Sequence, residues 1–253
     1  MTGPVYEHPL NERTRIFLRI ETLFACLDGH LADASMWSAK AALSVINELV
    51  DLFARPDLKG EFTVELDRLI RWLQALAQSP DVDRERLQHY ARELQEEQER
   101  LYQIHGQLGQ DLRQHELLAA VRGRQAIAGG VTHFELPALH YWMNLHETQR
   151  LQNLQDWAAR FYRVRPALEL ILQLLRECGA MQWQTARQGI YQQALNPRMP
   201  PALIRVRLDS PEYFPVISGG PHRFTISFSE LVDLGRSRLV NSDVDFELGI
   251  CSL

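Results

Sequence analysis

At 253 residues the chain is long enough to bury a sizeable core, and 45% apolar with 23% charged residues is an ordinary balance for a folded protein. Its net charge of −5 argues against bulk attraction to nucleic acid or membrane, and no apolar run approaches the roughly 18 residues a membrane span needs. Cys26, Cys178 and Cys251 are odd in number, far apart and without a CxxC pair, which reads as reduced thiols of a cytosolic chain. The N-terminus has no basic stretch leading into an apolar one, so no secretory leader is expected. Of the 27 basic residues only Lys40 and Lys59 are lysines, leaving 25 arginines. Genome composition accounts for such a bias; so does recognition of carboxylates by planar guanidinium groups.

The stretch VYEHPLNERTRIFLRIE opens with a short β-like segment, Val5–Glu7, and stops at Pro9-Leu10. Asn11 has N-cap chemistry, and Ile16, Phe17, Ile20, Leu23, Phe24 and Leu27 then recur with helical spacing. Arg15 and Arg19 lie one turn apart beside that stripe, so the helix can bury one face and still present two guanidinium groups. Further helices are predicted over 35–53 with Trp37 among its apolar anchors, 63–77, 83–104, 110–121, 148–163 and 166–178. The run RELQEEQER reads as a solvated face. Gly129-Gly130 introduce VTHFELP, a short alternating segment over Thr132–Glu135, and Pro137 starts a helical turn.

After Gly179 the period changes from 3.6 to 2. Ile204, Val206 and Leu208, then Phe224, Ile226 and Phe228, then Val244, Phe246, Leu248 and Ile250 alternate with polar residues, as half-buried antiparallel strands do. Residues 181–195 read as a further strand pair, and the segments near Val5 and Thr132 as added edge strands. The predicted class is α+β: a helical domain over 12–178, and a β-sheet domain over 179–253 joined by the N-terminal segment 1–11.

Catalytic signals are weak. His133, His140 and His146, with Glu135 and Glu147 nearby, are the only metal candidates, and the spacing of six between His140 and His146 suits no single helix face. Neither a phosphate-loop pattern nor a GxSxG is present, so no cofactor, metal or catalytic residue is expected. Arg13, Arg15 and Arg19, and Arg113, Arg122 and Arg124, are the notable basic groups. Arg122 and Arg124 near a helix C-terminus gain about 0.3–1 kcal/mol from the dipole; the other reading is a cationic groove for an acidic peptide, with Tyr141 and Trp142 beside His140 as its apolar floor.

The opening VYEHPLNERTRIFLRIETLF resembles the start of the ZapD family of Z-ring-associated cell-division proteins. The likeness continues through INELVDLFARPDLKGEFTVELDR, GQDLRQHELLAAVRGR, IAGGVTHFELPALHYWM, RFTISF and DVDFEL, in order along essentially the whole chain. It implies a non-enzymatic, cytoplasmic protein at the midcell division site. Such a protein is a homodimer joined through its helical domain that binds the C-terminal tail of FtsZ and bundles FtsZ protofilaments. The resemblance carries tail binding onto Arg19 and His140, to which Arg113, Arg122 and Arg124 are added from the neighbouring basic segment. One departure from the family pattern is His115-Glu116, where another arginine is expected. A nucleic-acid binder using the same arginines and a metal-dependent hydrolase around the three histidines are the alternatives.

Overall fold

The computed structural model describes residues 3–80, 82–128, 130–220, 222–233 and 235–252. Gly129 and Pro221, two of the punctuating residues read from the sequence, lie outside them. Among the described residues one strand, β1 (Val5–Pro9), precedes nine helices and seven further strands follow them, so the chain is α+β. It divides into two compact units: a helical unit, Arg19–Leu170, and a sheet unit made of Met1–Leu18 with Ile171–Leu253.

Helix α1 (Glu12–Leu31) starts as its sequence dictates: the Asn11 side-chain oxygen accepts from the Thr14 backbone N–H at 2.8 Å. All six apolar residues of its predicted stripe are buried. Helix α2 (Met36–Phe53) is capped by Ser35 and buries Leu43, Ile46, Leu49, Val50 and Phe53. Trp37 is not an anchor of that face; it is 73% exposed. Helix α3 (Leu58–Leu76) begins a turn earlier than predicted, because Leu58 and Phe62 extend the buried stripe upstream. Helix α4 (Arg84–Tyr102) packs on α3 and exposes most of RELQEEQER. Beside the apolar Leu94, Glu97 is the charged exception: burial pushes its carboxyl above the usual range, against the pull of the neighbouring Arg100.

The helix predicted over 110–121 is two helices, α5 (Gln110–Arg113) and α6 (Glu116–Arg124). His115 breaks them apart in an extended conformation and sets its ring edge-on to Trp157, 5.1 Å between centroids. Thr132–Glu135 is not an edge strand. It forms a turn in which Leu136 N–H donates to the Thr132 carbonyl at 3.0 Å, leading into α7 (Pro137–Met143). Helices α8 (Glu147–Tyr162) and α9 (Arg165–Glu177) follow, and α9 buries Ala167, Leu168, Ile171, Leu172, Leu174 and Leu175. Buried Arg150 ties the end of α7 to the start of α8, donating to the carbonyls of Met143 and Leu145.

In the sheet unit, β1, β4 (Leu203–Arg207), β8 (Val244–Cys251) and β2 (Gln182–Ala186) form one antiparallel sheet in the order β1-β4-β8-β2. The second sheet runs β3-β6-β5, from β3 (Ile190–Ala194), β6 (Arg223–Asp233) and β5 (Tyr213–Gly219), with β7 (Arg236–Leu239) also paired to β6. Their inward residues make one core: Ile204 and Val206, Phe246 and Leu248, Phe224, Ile226 and Phe228. The predicted strand pair over 181–195 is a tight hairpin whose arms join different sheets: β2 pairs with β8, and β3 with β6. Gln188 and Gly189 at its tip both have positive φ, as a two-residue hairpin turn of matching twist requires, and Asp243 accepts from Gln188 N–H at 2.9 Å. The opening segment joins the first sheet as expected, Tyr6 opposite Val206 and His8 opposite Ile204.

Candidate functional site

Helix α2 buries its apolar face, so its remaining positions fall in phase as a second stripe. Trp37, Lys40, Ser44, Glu48 and Asp51 follow one another at three- and four-residue steps, with Asn47 at the buried edge. Around this stripe the helical unit arranges most of the basic residues singled out in the sequence.

Arg19 projects from α1 with a side chain 58% exposed, and its guanidinium stands 3.7 Å from the Glu48 carboxylate. Arg122 behaves differently: only 17% exposed, it donates to the Asn47 side-chain oxygen at 3.1 Å and to the Arg113 backbone carbonyl at 2.7 Å, and lies 3.7 Å from Asp51. That guanidinium clips α6 to α2 and α5. Arg113 offers its carbonyl to this clip and keeps its side chain exposed. Arg124 reaches Glu135 at 3.7 Å. His115, at the departure from the family pattern, turns its ring to Trp157.

His140 is exposed on α7, its ring 5.6 Å from that of His133. Both rings border an open pocket of about 430 Å³, with Met36, Trp37, Lys40 and Met143 among its walls. Lys40 Nζ donates to the Val131 carbonyl at 3.1 Å and stands 5.7 Å from the centre of the Trp37 ring. No carboxylate is among the described residues lining this pocket. The aromatic wall is therefore Trp37, not Trp142, which is buried, donates from Nε1 to Asn153 at 3.1 Å and stacks on Trp157. The sequence did hold a signal for Trp37: it shares a helix phase with Ser44, Glu48 and Asp51, none of which is buried.

The third histidine of the metal alternative is elsewhere engaged. His146 caps α8, Nδ1 accepting from Thr148 N–H at 3.4 Å. Among the described residues no group of three or more His, Cys, Asp or Glu side chains is placed to share a metal ion. No described helix is long and apolar enough to cross a membrane.

With this geometry in view, the comparisons with known proteins agree with one another. A family model described as "ZapD: Cell division protein" matches residues 18–227. A protein named Cell division protein ZapD from Methylococcus capsulatus is 36% identical over 253 residues, covering 98% of each chain. Its namesake from Nitrosomonas europaea is 34% identical, over 100% of this chain and 97% of the relative. That from Aromatoleum aromaticum is also 34% identical, over 98% and 97%. A match of this length and identity leaves the family in no doubt: the chain belongs to the ZapD family of cell division proteins.

Proposed function

We propose that this protein is a non-enzymatic division factor of the cytoplasm that binds the C-terminal tail of FtsZ and, as a homodimer, bundles FtsZ protofilaments at midcell. One observation carries the reading. The two positions to which the resemblance assigns tail binding, Arg19 and His140, are both exposed on the helical unit and both border the outward stripe of α2. A carboxylate-rich tail laid along that stripe meets Arg19 beside Glu48 and Lys40 with His140 at the pocket. In this reading Arg113 and Arg124 are additional surface contacts, and Arg122, through its bonds to Asn47 and the Arg113 carbonyl, positions them.

Bundling then follows from valency. Two copies of one surface related by a two-fold axis engage two filaments, and the many tails along a filament turn weak single contacts into strong avidity. The test is fluorescence anisotropy of a labelled FtsZ tail peptide against the wild type and Arg19→Glu, with sedimentation of FtsZ polymers alongside. Saturable binding that weakens with salt and is lost in the folded variant supports the reading. A folded, dimeric wild type that binds no tail removes it, as does equal bundling by a monomeric variant. A gel shift at moderate salt addresses the nucleic-acid alternative, which the net charge of −5 disfavours.

A further inference from the structure

The charged contacts beside α2 give the pocket itself no role. Its walls are chiefly apolar, with Met36, Leu139 and Met143 behind Trp37, and tryptophan is among the most favourable side chains to withdraw from water. A volume of about 430 Å³ falls within the range of cavities that bury a compact ligand group. The rim is cationic or polar: Lys40 has three donors, of which one goes to the Val131 carbonyl, and His133 and His140 stand beside it. With no carboxylate among the described lining residues, nothing there repels an acidic ligand.

We infer that the pocket receives one bulky aliphatic or aromatic side chain of the bound peptide, with carboxylates flanking that side chain held at the rim by Lys40 and the two histidines. The occupant is thus an acidic peptide with an apolar anchor. The inference rests on the tail-binding reading and adds to it a selectivity that charge alone does not supply. Trp37 is the specificity-determining wall. Anchors of this type dominate affinity when they fill a desolvated hollow, while the charges around them fix register and speed encounter. A peptide of equal charge without the anchor meets the same cations and leaves the hollow to water.

The five methionines make the pocket directly observable, because Met36 and Met143 line it and Met181 and Met199 belong to the sheet unit. The experiment is NMR of the full chain with ¹³C-labelled methionine methyl groups, titrated with the FtsZ tail peptide. A second peptide carries the same charges with its apolar residues changed to serine, and anisotropy runs in parallel. The expected result is movement of the Met36 and Met143 signals with those of Met181 and Met199 fixed. The serine peptide is expected to bind about tenfold more weakly, and Trp37→Ala to bring the two peptides to within about twofold of each other.

Saturable tail binding with Met36 and Met143 unmoved overturns the pocket and leaves the tail reading standing. So does a folded Trp37→Ala that separates the two peptides as well as wild type does. No saturable binding of either peptide overturns the tail reading and the pocket's occupant together. Movement of Met36 and Met143 with protein concentration alone makes the occupant a second copy of the chain, and overturns the inference by that route.

Discussion

One arginine site in each unit shows the two opposite uses of this side chain. In the sheet unit, Glu7 of β1 is gripped from two sides: Arg176 donates to both of its oxygens at 2.8 and 2.7 Å, and Arg205 of β4 donates at 3.1 Å. The carboxylate is 17% exposed, and the Arg205 guanidinium also reaches the Arg176 carbonyl. In the helical unit, Arg19 meets Glu48 at a single 3.7 Å approach between two largely exposed side chains. A guanidinium held by several short bonds in a half-buried setting is part of the fold. One resting loosely on a carboxylate in water can change partners at little cost. The arginine bias of the chain is therefore not one signal, and exposure divides it.

The sharpest way to break this contrast is Glu7→Ala. It removes the carboxylate that two partly buried guanidinium groups share and detaches β1 from its charged clasp. A loss of about 2–3 kcal/mol is expected, somewhat below the range for a fully buried pair, and is read as a lower urea midpoint with unchanged slope. Arg122→Ala comes next. It removes two hydrogen bonds and strands Asn47, which is fully buried, so about 1–2 kcal/mol is expected in the same measurement. If Arg122→Ala instead proves neutral for stability and abolishes tail binding, the division by exposure is wrong.

Why some of this could be read in advance and some could not follows from the range of the interactions. The α1 stripe and the alternation of β4, β6 and β8 are local periodicities, and each was visible in the residues themselves. Strands β5 and β7 were not: Pro215 sits inside the first, and the second is four exposed residues whose pairing to β6 alone defines it. The break at His115 depends on Trp157, 42 residues away, and the clip by Arg122 on Asn47, 75 residues away; no window of sequence contains either contact. The exposure of Arg19 was legible because it lies beside its helix stripe. Trp37 was misjudged by residue type, where its phase on α2 gave the better answer.

An intermediate case within the helical unit sharpens the comparison through pH. Asp28 accepts from Tyr162 and from Arg165, whose guanidinium lies 4.7 Å from the Tyr162 ring centre. Partial burial works to raise the Asp28 carboxyl, but the hydrogen bonds from Arg165 and Tyr162 and the Arg165 charge together bring it below the ordinary value. A depressed carboxylate stabilises the fold above its unfolded pKa of about 3.9, and that contribution disappears as pH falls through the folded value. Asp28→Asn should therefore lose about 1 kcal/mol or less at neutral pH, given the exposure of the pair, and converge on wild type in acid. Tyr162 works at the other end: burial first, then the Asp28 hydrogen bond and charge, push its hydroxyl up. Its contribution is complete below about pH 10 and is lost as pH rises through the folded value, so Tyr162→Phe should flatten the alkaline limb of the stability profile.

The smallest expected effect on folding is that of Arg19→Ala. An exposed pair at 3.7 Å contributes about 0.5 kcal/mol or less, so thermal midpoint and urea slope should match wild type closely. Alanine is also a cleaner probe than glutamate there, because it sets no new charge against Glu48. If tail affinity nevertheless falls about tenfold, the loss belongs to a contact made with the partner and not to the fold, since 1.4 kcal/mol of binding exceeds what this side chain contributes to stability. A drop in stability comparable to that of Glu7→Ala would place Arg19 among the structural arginines, and the proposed surface would then have to be rebuilt around Lys40, Arg113 and His140.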